Sequence, residues 1–155
     1  MAFNLKSITR GTALKAPRII LLGVEKIGKS TFAAGANNPV FIPIRQEEGI
    51  DGLDVPKFPT ARTLDDVLSA LGSLYEEEHD FQTVVIDSAS ALQPVIYDAV
   101  CDEATVKSIE QIGYGKGYVF ADEKWRQIMD GLDALREEKN MACIIIGHVK
   151  VKRFD

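Results

Sequence analysis

Eight consecutive residues, Gly23-Val24-Glu25-Lys26-Ile27-Gly28-Lys29-Ser30, fit the pattern G-x-x-x-x-G-K-[ST], in which two glycines, a lysine and a hydroxyl stand at fixed spacing. Chance supplies that pattern in roughly half a percent of chains this long, so a phosphate-binding loop is the better reading. Gly23 and Gly28 free the backbone so that successive N–H groups and a helix N-terminus can surround phosphate oxygens. Lys29 offers a point positive charge to the β and γ phosphates, Ser30 a hydroxyl ligand to Mg²⁺, and Thr31 reaches toward the α phosphate. The candidate phosphate-binding set is therefore Gly23, Lys26, Ile27, Gly28, Lys29, Ser30 and Thr31. The expected ligand is a nucleoside triphosphate with Mg²⁺. The absence of an Asn-Lys-x-Asp guanine-reading motif favours ATP over GTP.

A second acidic signal follows an apolar run. Phe81-Gln82-Thr83-Val84-Val85-Ile86-Asp87 reads as a strand that delivers a carboxylate to its end, where Asp87 would hold Mg²⁺ through its water shell. Hydrolysis also needs a group that orients or deprotonates water. The run Val40–Ile44 leads through Arg45-Gln46 to Glu47-Glu48-Gly49, which makes Glu47, with Glu48 as the alternative, the candidate. A fourth apolar run ends in Gly147-His148, and His148 there could sense the γ phosphate. His79, between a glutamate run and Asp80, is read as structural.

These groups converge only if particular elements position them. Short β-branched runs at Arg18–Leu22, Val40–Ile44, Thr83–Ile86 and Ala142–Ile146 read as strands buried on both faces. Helical patterns separate them: Lys29–Gly35, then Thr63–Glu78 with Thr63, Asp65 and Asp66 as a capped start, then Asp122–Asn140 with Trp125, Ile128, Met129, Leu132 and Leu135 on one stripe. Strands alternating with helices predict an α/β fold, a mostly parallel sheet with helices on both faces. Residues 1–17 read as an irregular arm whose Phe3, Leu5 and Ile8 could dock on the core. Residues 18–155 read as the nucleotide-binding core, expected to be the N-terminal portion of a longer protein with further C-terminal strands.

Composition narrows the class. The chain has 155 residues, 46% of them hydrophobic, enough for one domain with a sizeable core. Its apolar runs fall short of the roughly 20 residues that cross a bilayer, which predicts a soluble protein with no membrane partner. The two cysteines, Cys101 and Cys143, have no metal-ligand spacing, and no secretory leader is evident, so a reducing cytoplasm is expected. The net charge of −5 argues against coating nucleic acid by bulk electrostatics, but the charge is uneven. Residues 47–80 are strongly acidic, whereas the first 29 residues and the last few lean basic.

Taken together, the motifs resemble the RecA-like P-loop ATPases of phage and prophage that act in DNA recombination and single-strand annealing. The resemblance covers most of residues 17–155. It rests on the P-loop, Glu47-Glu48-Gly49 with Leu53-Asp54-Val55-Pro56, Asp87-Ser88 with Ala91-Leu92, Tyr114-Gly115-Lys116-Gly117-Tyr118, and Gly147-His148-Val149-Lys150. It implies phosphate binding at Gly28, Lys29, Ser30 and Thr31, magnesium at Asp87, water activation at Glu47 and a sensor at His148. Two acids stand where the family pattern has one, which leaves Glu47 and Glu48 both open. The resemblance further implies single-stranded DNA contacts in the loops after the third and fourth strands. Tyr114 and Lys116 in a loop spanning 112–120, and Lys150, Lys152 and Arg153 with Phe154, combine cations with stacking faces. A host bacterial cytoplasm and a homo-oligomer, with a neighbour's basic residue completing the site, belong to the same reading. Two alternatives stand beside it: a nucleotide-gated module of a phage replication or packaging complex with little turnover, and a small-molecule kinase. A kinase would need an arginine-rich lid, and between the third and fourth strands there are only Arg126 and Arg136.

Overall fold

A computed structural model describes residues 3–45 and 49–154. Four strands, β1 (Arg18–Gly23), β2 (Pro39–Pro43), β3 (Thr83–Asp87) and β4 (Ala142–His148), form one sheet in the order β1-β4-β3-β2, and every pairing is parallel. Parallel neighbours need helical crossovers. Here these are α1 (Lys29–Ala34), α2 (Leu64–Glu76), α3 (Ala89–Ala104) and α4 (Lys116–Lys139). The α/β architecture predicted from the alternation is the one observed.

Side-chain alternation divides the core into two layers. On one face Val40, Ile42, Val84, Ile86 and Cys143 pack under α2, α3 and α4. On the other, Phe41, Val85, Ile144 and Ile146 meet Ala33 of α1 and Ile50. The two edges of the sheet differ. Residues 56–61 hydrogen-bond along the outer side of β2, through Phe41 N to Pro56 O and Ala61 N to Pro43 O, and so cover that edge. β1 forms the opposite edge, and its Ile20 and Leu22 are 71% and 62% exposed. The expectation that all four strands are buried on both faces therefore fails at β1, where Ile20 and Leu22 stay open to solvent.

α2 begins in a capping box. Thr63 Oγ1 accepts from Asp66 N, and Asp66 Oδ2 accepts from the N–H groups of Thr63 and Arg62. These bonds hold the Asp66 carboxyl below its ordinary range. The helix buries Leu64, Val67, Ala70, Leu71 and Leu74, about 1.5–3 kcal/mol for each large side chain. It ends at Glu76, and His79 closes the exit: Phe81 N donates to Nδ1, so Nε2 carries the proton and donates to Leu74 O at 2.8 Å.

Two helical segments differ from the sequence reading. α3, with Pro94 inside it, has no counterpart there. α4 starts at Lys116, six residues earlier than predicted, so the segment 112–120 is not a single loop. Gly117 in this segment is a packing requirement. A Cβ there would lie 2.6 Å from Ile109 Cγ1 and 2.8 Å from Ile109 O. α3 and α4 lie side by side and run in the same direction. Tyr97 meets Tyr118 with ring centroids 6.0 Å apart, and Glu103, six residues on, is paired with Lys124, also six residues on.

Residues 3–17, before β1, form an irregular arm in which Leu5–Ser7 make a 3₁₀ turn. Phe3, Leu5 and Ile8 are exposed and do not dock on the core. The arm's end is clipped down, by Lys15 to Glu137 and by Arg136 Nε to Ala16 O. Among the described residues, no helix is long and apolar enough to cross a membrane.

Candidate nucleotide site

The site lies at the carboxyl edge of the sheet, where parallel α/β sheets bind ligands. β1 ends at Gly23 and the chain enters the loop that leads to α1. Close approach dictates the first glycine: a Cβ on Gly23 would stand 3.0 Å from Ile27 Cγ2 and 3.4 Å from Lys29 Cδ. Conformation dictates the second. Gly28, the N-cap of α1, has φ 105° and ψ 22°, a region that L side chains rarely adopt. Lys26 also has positive φ, at 61°.

Lys29 opens α1 and is buried, an unusual place for a lysine without partners. Its Nζ donates to Gly23 O at 2.9 Å and Val24 O at 2.6 Å, so the ammonium is folded back onto the loop it closes. Ser30 points across the sheet instead. Its Oγ donates to Asp87 Oδ2 at 2.6 Å, a contact between residues 57 positions apart. Thr31 follows on the exposed side of the helix.

Asp87 is the last residue of β3 and is 2% exposed. The Asp87–Ser88 peptide is cis, and the buried Ser88 caps α3 by accepting from Ala91 N at 3.1 Å. Strand alternation puts Asp87 on the same face as Val85, and His148 on the same face as Ile144 and Ile146. That is the α1 face. Because β4 runs between β1 and β3, His148 stands between Gly23, its register partner in β1, and the end of the strand that carries Asp87.

The structure thus brings Gly23, Gly28, Lys29, Ser30, Asp87 and His148 to one edge. Glu47 and Glu48 lie outside the described residues. Gly49, just after them, is at the site: a Cβ there would be 3.8 Å from Ser30 Oγ. On the near side Arg45 is anchored twice, by its N–H to Ala61 O and by its guanidinium to Asp98. The DNA-contact candidates form two separate groups. Tyr114, between Gly113 and Gly115 with φ 58°, is fully exposed beside Lys116 at the start of α4. Lys150, Lys152, Arg153 and Phe154 are exposed in the segment after β4. Tyr118, close to the first group, is 3.4 Å from Glu110, whose charge pushes its phenol up. That acid disfavours a phosphate at Tyr118 itself.

A hydroxyl and a carboxylate 2.6 Å apart form a hard-oxygen donor pair suited to Mg²⁺, which dehydrates reluctantly and typically takes only one or two protein ligands beside phosphate and water. Among the described residues, no cluster of three or more His, Cys, Asp or Glu side chains could hold a metal alone. The Ser30–Asp87 pair fits a metal whose other ligands are phosphate and water.

Sequence reading missed three features of this edge: the approach of Gly49 to Ser30, the Arg45–Asp98 pair, and a bond from His148 N to Ser90 Oγ. Each joins residues distant in sequence, so no local pattern announces it. A family model described as an AAA domain matches residues 15–155. No curated protein matches the chain.

Proposed function

The chain belongs to the AAA domain family of P-loop nucleotide-binding ATPases, and from that premise we propose that it binds and hydrolyses ATP with Mg²⁺ and acts on single-stranded DNA in phage or prophage recombination. The observation that carries the ATPase half is the Ser30–Asp87 contact, which joins the phosphate-loop helix to the acid at the end of β3. In this reading the loop N–H groups from Lys26 to Thr31 bind phosphate oxygens, and Lys29 turns from Gly23 O and Val24 O toward the β and γ phosphates. Ser30 and Asp87 would hold Mg²⁺, which would supply charge neutralisation for the phosphates. His148 faces the γ phosphate, and Glu47 orients the attacking water.

The DNA half is supported by Tyr114 and Lys116 on one side and by Lys150, Lys152, Arg153 and Phe154 on the other, all exposed and none buried in the core. The second group follows directly from His148, so occupancy of the nucleotide site and the conformation of the basic segment are neighbours along the chain. A homo-oligomer in the bacterial cytoplasm, with a neighbour's basic residue completing each site, is part of the proposal.

The test is steady-state ATP hydrolysis with and without single-stranded DNA, using Lys29→Ala to exclude contaminating activity. Stimulation by DNA that disappears in the variant is the expected result. ATP binding with no hydrolysis under either condition would remove the motor and leave a nucleotide-gated binding module.

A further inference from the structure

In β4 the backbone N–H groups alternate between the two neighbouring strands. Cys143 N donates to Pro17 O and Val149 N to Gly23 O, both on the β1 side, whereas Ala142 N donates to Gln82 O on the β3 side. Odd-numbered residues therefore serve β1 and even-numbered residues β3. By that alternation the N–H of His148 points toward β3, and the register offset of 60 between Ala142 and Gln82 would give it Ser88 O as acceptor. That acceptor is in use. β3 has ended at Asp87, and Ser88 O takes the first turn of α3 by accepting from Leu92 N at 3.0 Å. The acceptor that His148 N uses instead is the side chain of Ser90, at 2.9 Å.

We propose that the Ser90 hydroxyl is a positioning residue. It continues the β3–β4 ladder one step past the end of β3 and thereby fixes His148 relative to Asp87. The inference rests on the reading of His148 as the residue that faces the γ phosphate. His148 is then bracketed by two bonds of different origin, Ser90 Oγ from the helix after Asp87 and the Val149 N to Gly23 O bond from the start of the phosphate loop. A displacement of His148 toward or away from a phosphate must change one or both. Through them the metal-side helix and the basic segment from Lys150 onward feel the same event. Ser90 is exposed, so its hydroxyl is not a packing element of the core. Pro94, which has no N–H, leaves the Ser90 carbonyl without its usual helical donor, so the first turn of α3 is less tightly bonded where this coupling attaches.

The experiment compares wild type, Ser90→Ala and Ser90→Thr by backbone amide hydrogen exchange, with and without MgATP, and by steady-state hydrolysis. In Ser90→Ala the His148 amide is expected to exchange about tenfold faster, MgATP affinity to stay within about twofold, and kcat to fall roughly five- to tenfold, the size of one neutral hydrogen bond. Ser90→Thr, which keeps the hydroxyl, restores both the amide protection and kcat. Unchanged protection of the His148 amide in Ser90→Ala overturns the proposal, and so does a parallel loss of affinity and kcat that threonine does not rescue. If wild type binds MgATP without hydrolysing it, the ATPase reading fails separately. The anchor is then judged by whether MgATP alters exchange at His148 and Val149 in wild type but not in Ser90→Ala, and an identical response in both sinks it.

Discussion

Replacing Gly28 by alanine isolates backbone conformation from every other contribution to the phosphate loop. Gly28 sits at φ 105° and ψ 22°, and a Cβ built on it meets nothing within 4 Å, so the substitution meets no steric obstacle. Its cost is conformational. An L residue held at positive φ loses about 1–2 kcal/mol, and the lower entropy of the unfolded alanine chain offsets about 0.4–1 kcal/mol of that. If the loop keeps its shape, the net loss at the top of these ranges is about 1.5 kcal/mol, which for a domain of this size lowers Tm by roughly 3–6 °C. If the loop relaxes instead, the N–H groups at the start of α1 turn away from the phosphate position, and the same energy appears as roughly tenfold weaker ATP binding. Thermal melting and titration with a fluorescent ATP analogue, on the same preparation, measure both arms. Gly23→Ala is the comparison. Its backbone is not at positive φ, but its Cβ would press on Ile27 and on buried Lys29, so it should weaken binding with a smaller change in Tm. A Gly28→Ala protein with Tm and ATP affinity both at wild-type values would refute this account of the loop.

Three further outcomes follow from the same structure. Asp87→Asn keeps a side chain able to meet Ser30 but removes the charge, so ATP binding should lose most of its dependence on Mg²⁺, as read by titration with and without EDTA. His79→Ala removes an acceptor for Phe81 N and a donor to Leu74 O; at about 0.5–1.5 kcal/mol each, denaturant melts should lose about 1–3 kcal/mol while ATP affinity is unchanged. Asp66, held below its ordinary value of 3.8 by the N–H groups of Arg62 and Thr63, contributes stability that is present above that pH and lost as pH falls through its lower folded value. The stability gap between wild type and Asp66→Asn should therefore narrow as melts are taken from pH 6 to below about 4.

What the sequence disclosed and what it hid divide by distance along the chain. The phosphate loop, the acid at the end of β3 and the capping box of α2 are local patterns, each set by residues within a turn or a strand of one another, and the structure places all of them where their spacing predicts. α3 escaped because Pro94 interrupts a pattern of modest amphipathicity, and tertiary burial of Leu92, Val95, Ile96 and Val100 supplies what local propensity does not. The early start of α4 escaped because Gly115 and Gly117 look like loop residues, although one serves as a helix cap with positive φ and the other fits against Ile109. The exposed flank of β1 could not be read from Ile19-Ile20-Leu21-Leu22 because an apolar run does not reveal which strand stands at a sheet edge. The bond from His148 to Ser90 depends on where β3 stops relative to β4, which is a property of register.

The most direct test of the central claim is a calorimetric titration of MgATP into this chain and into Lys29→Ala. The account predicts saturable binding at one site per chain in wild type and at least a tenfold loss in the variant, because Lys29 is the buried cation that closes the phosphate loop. No binding by wild type, or equal binding by both proteins, would contradict it.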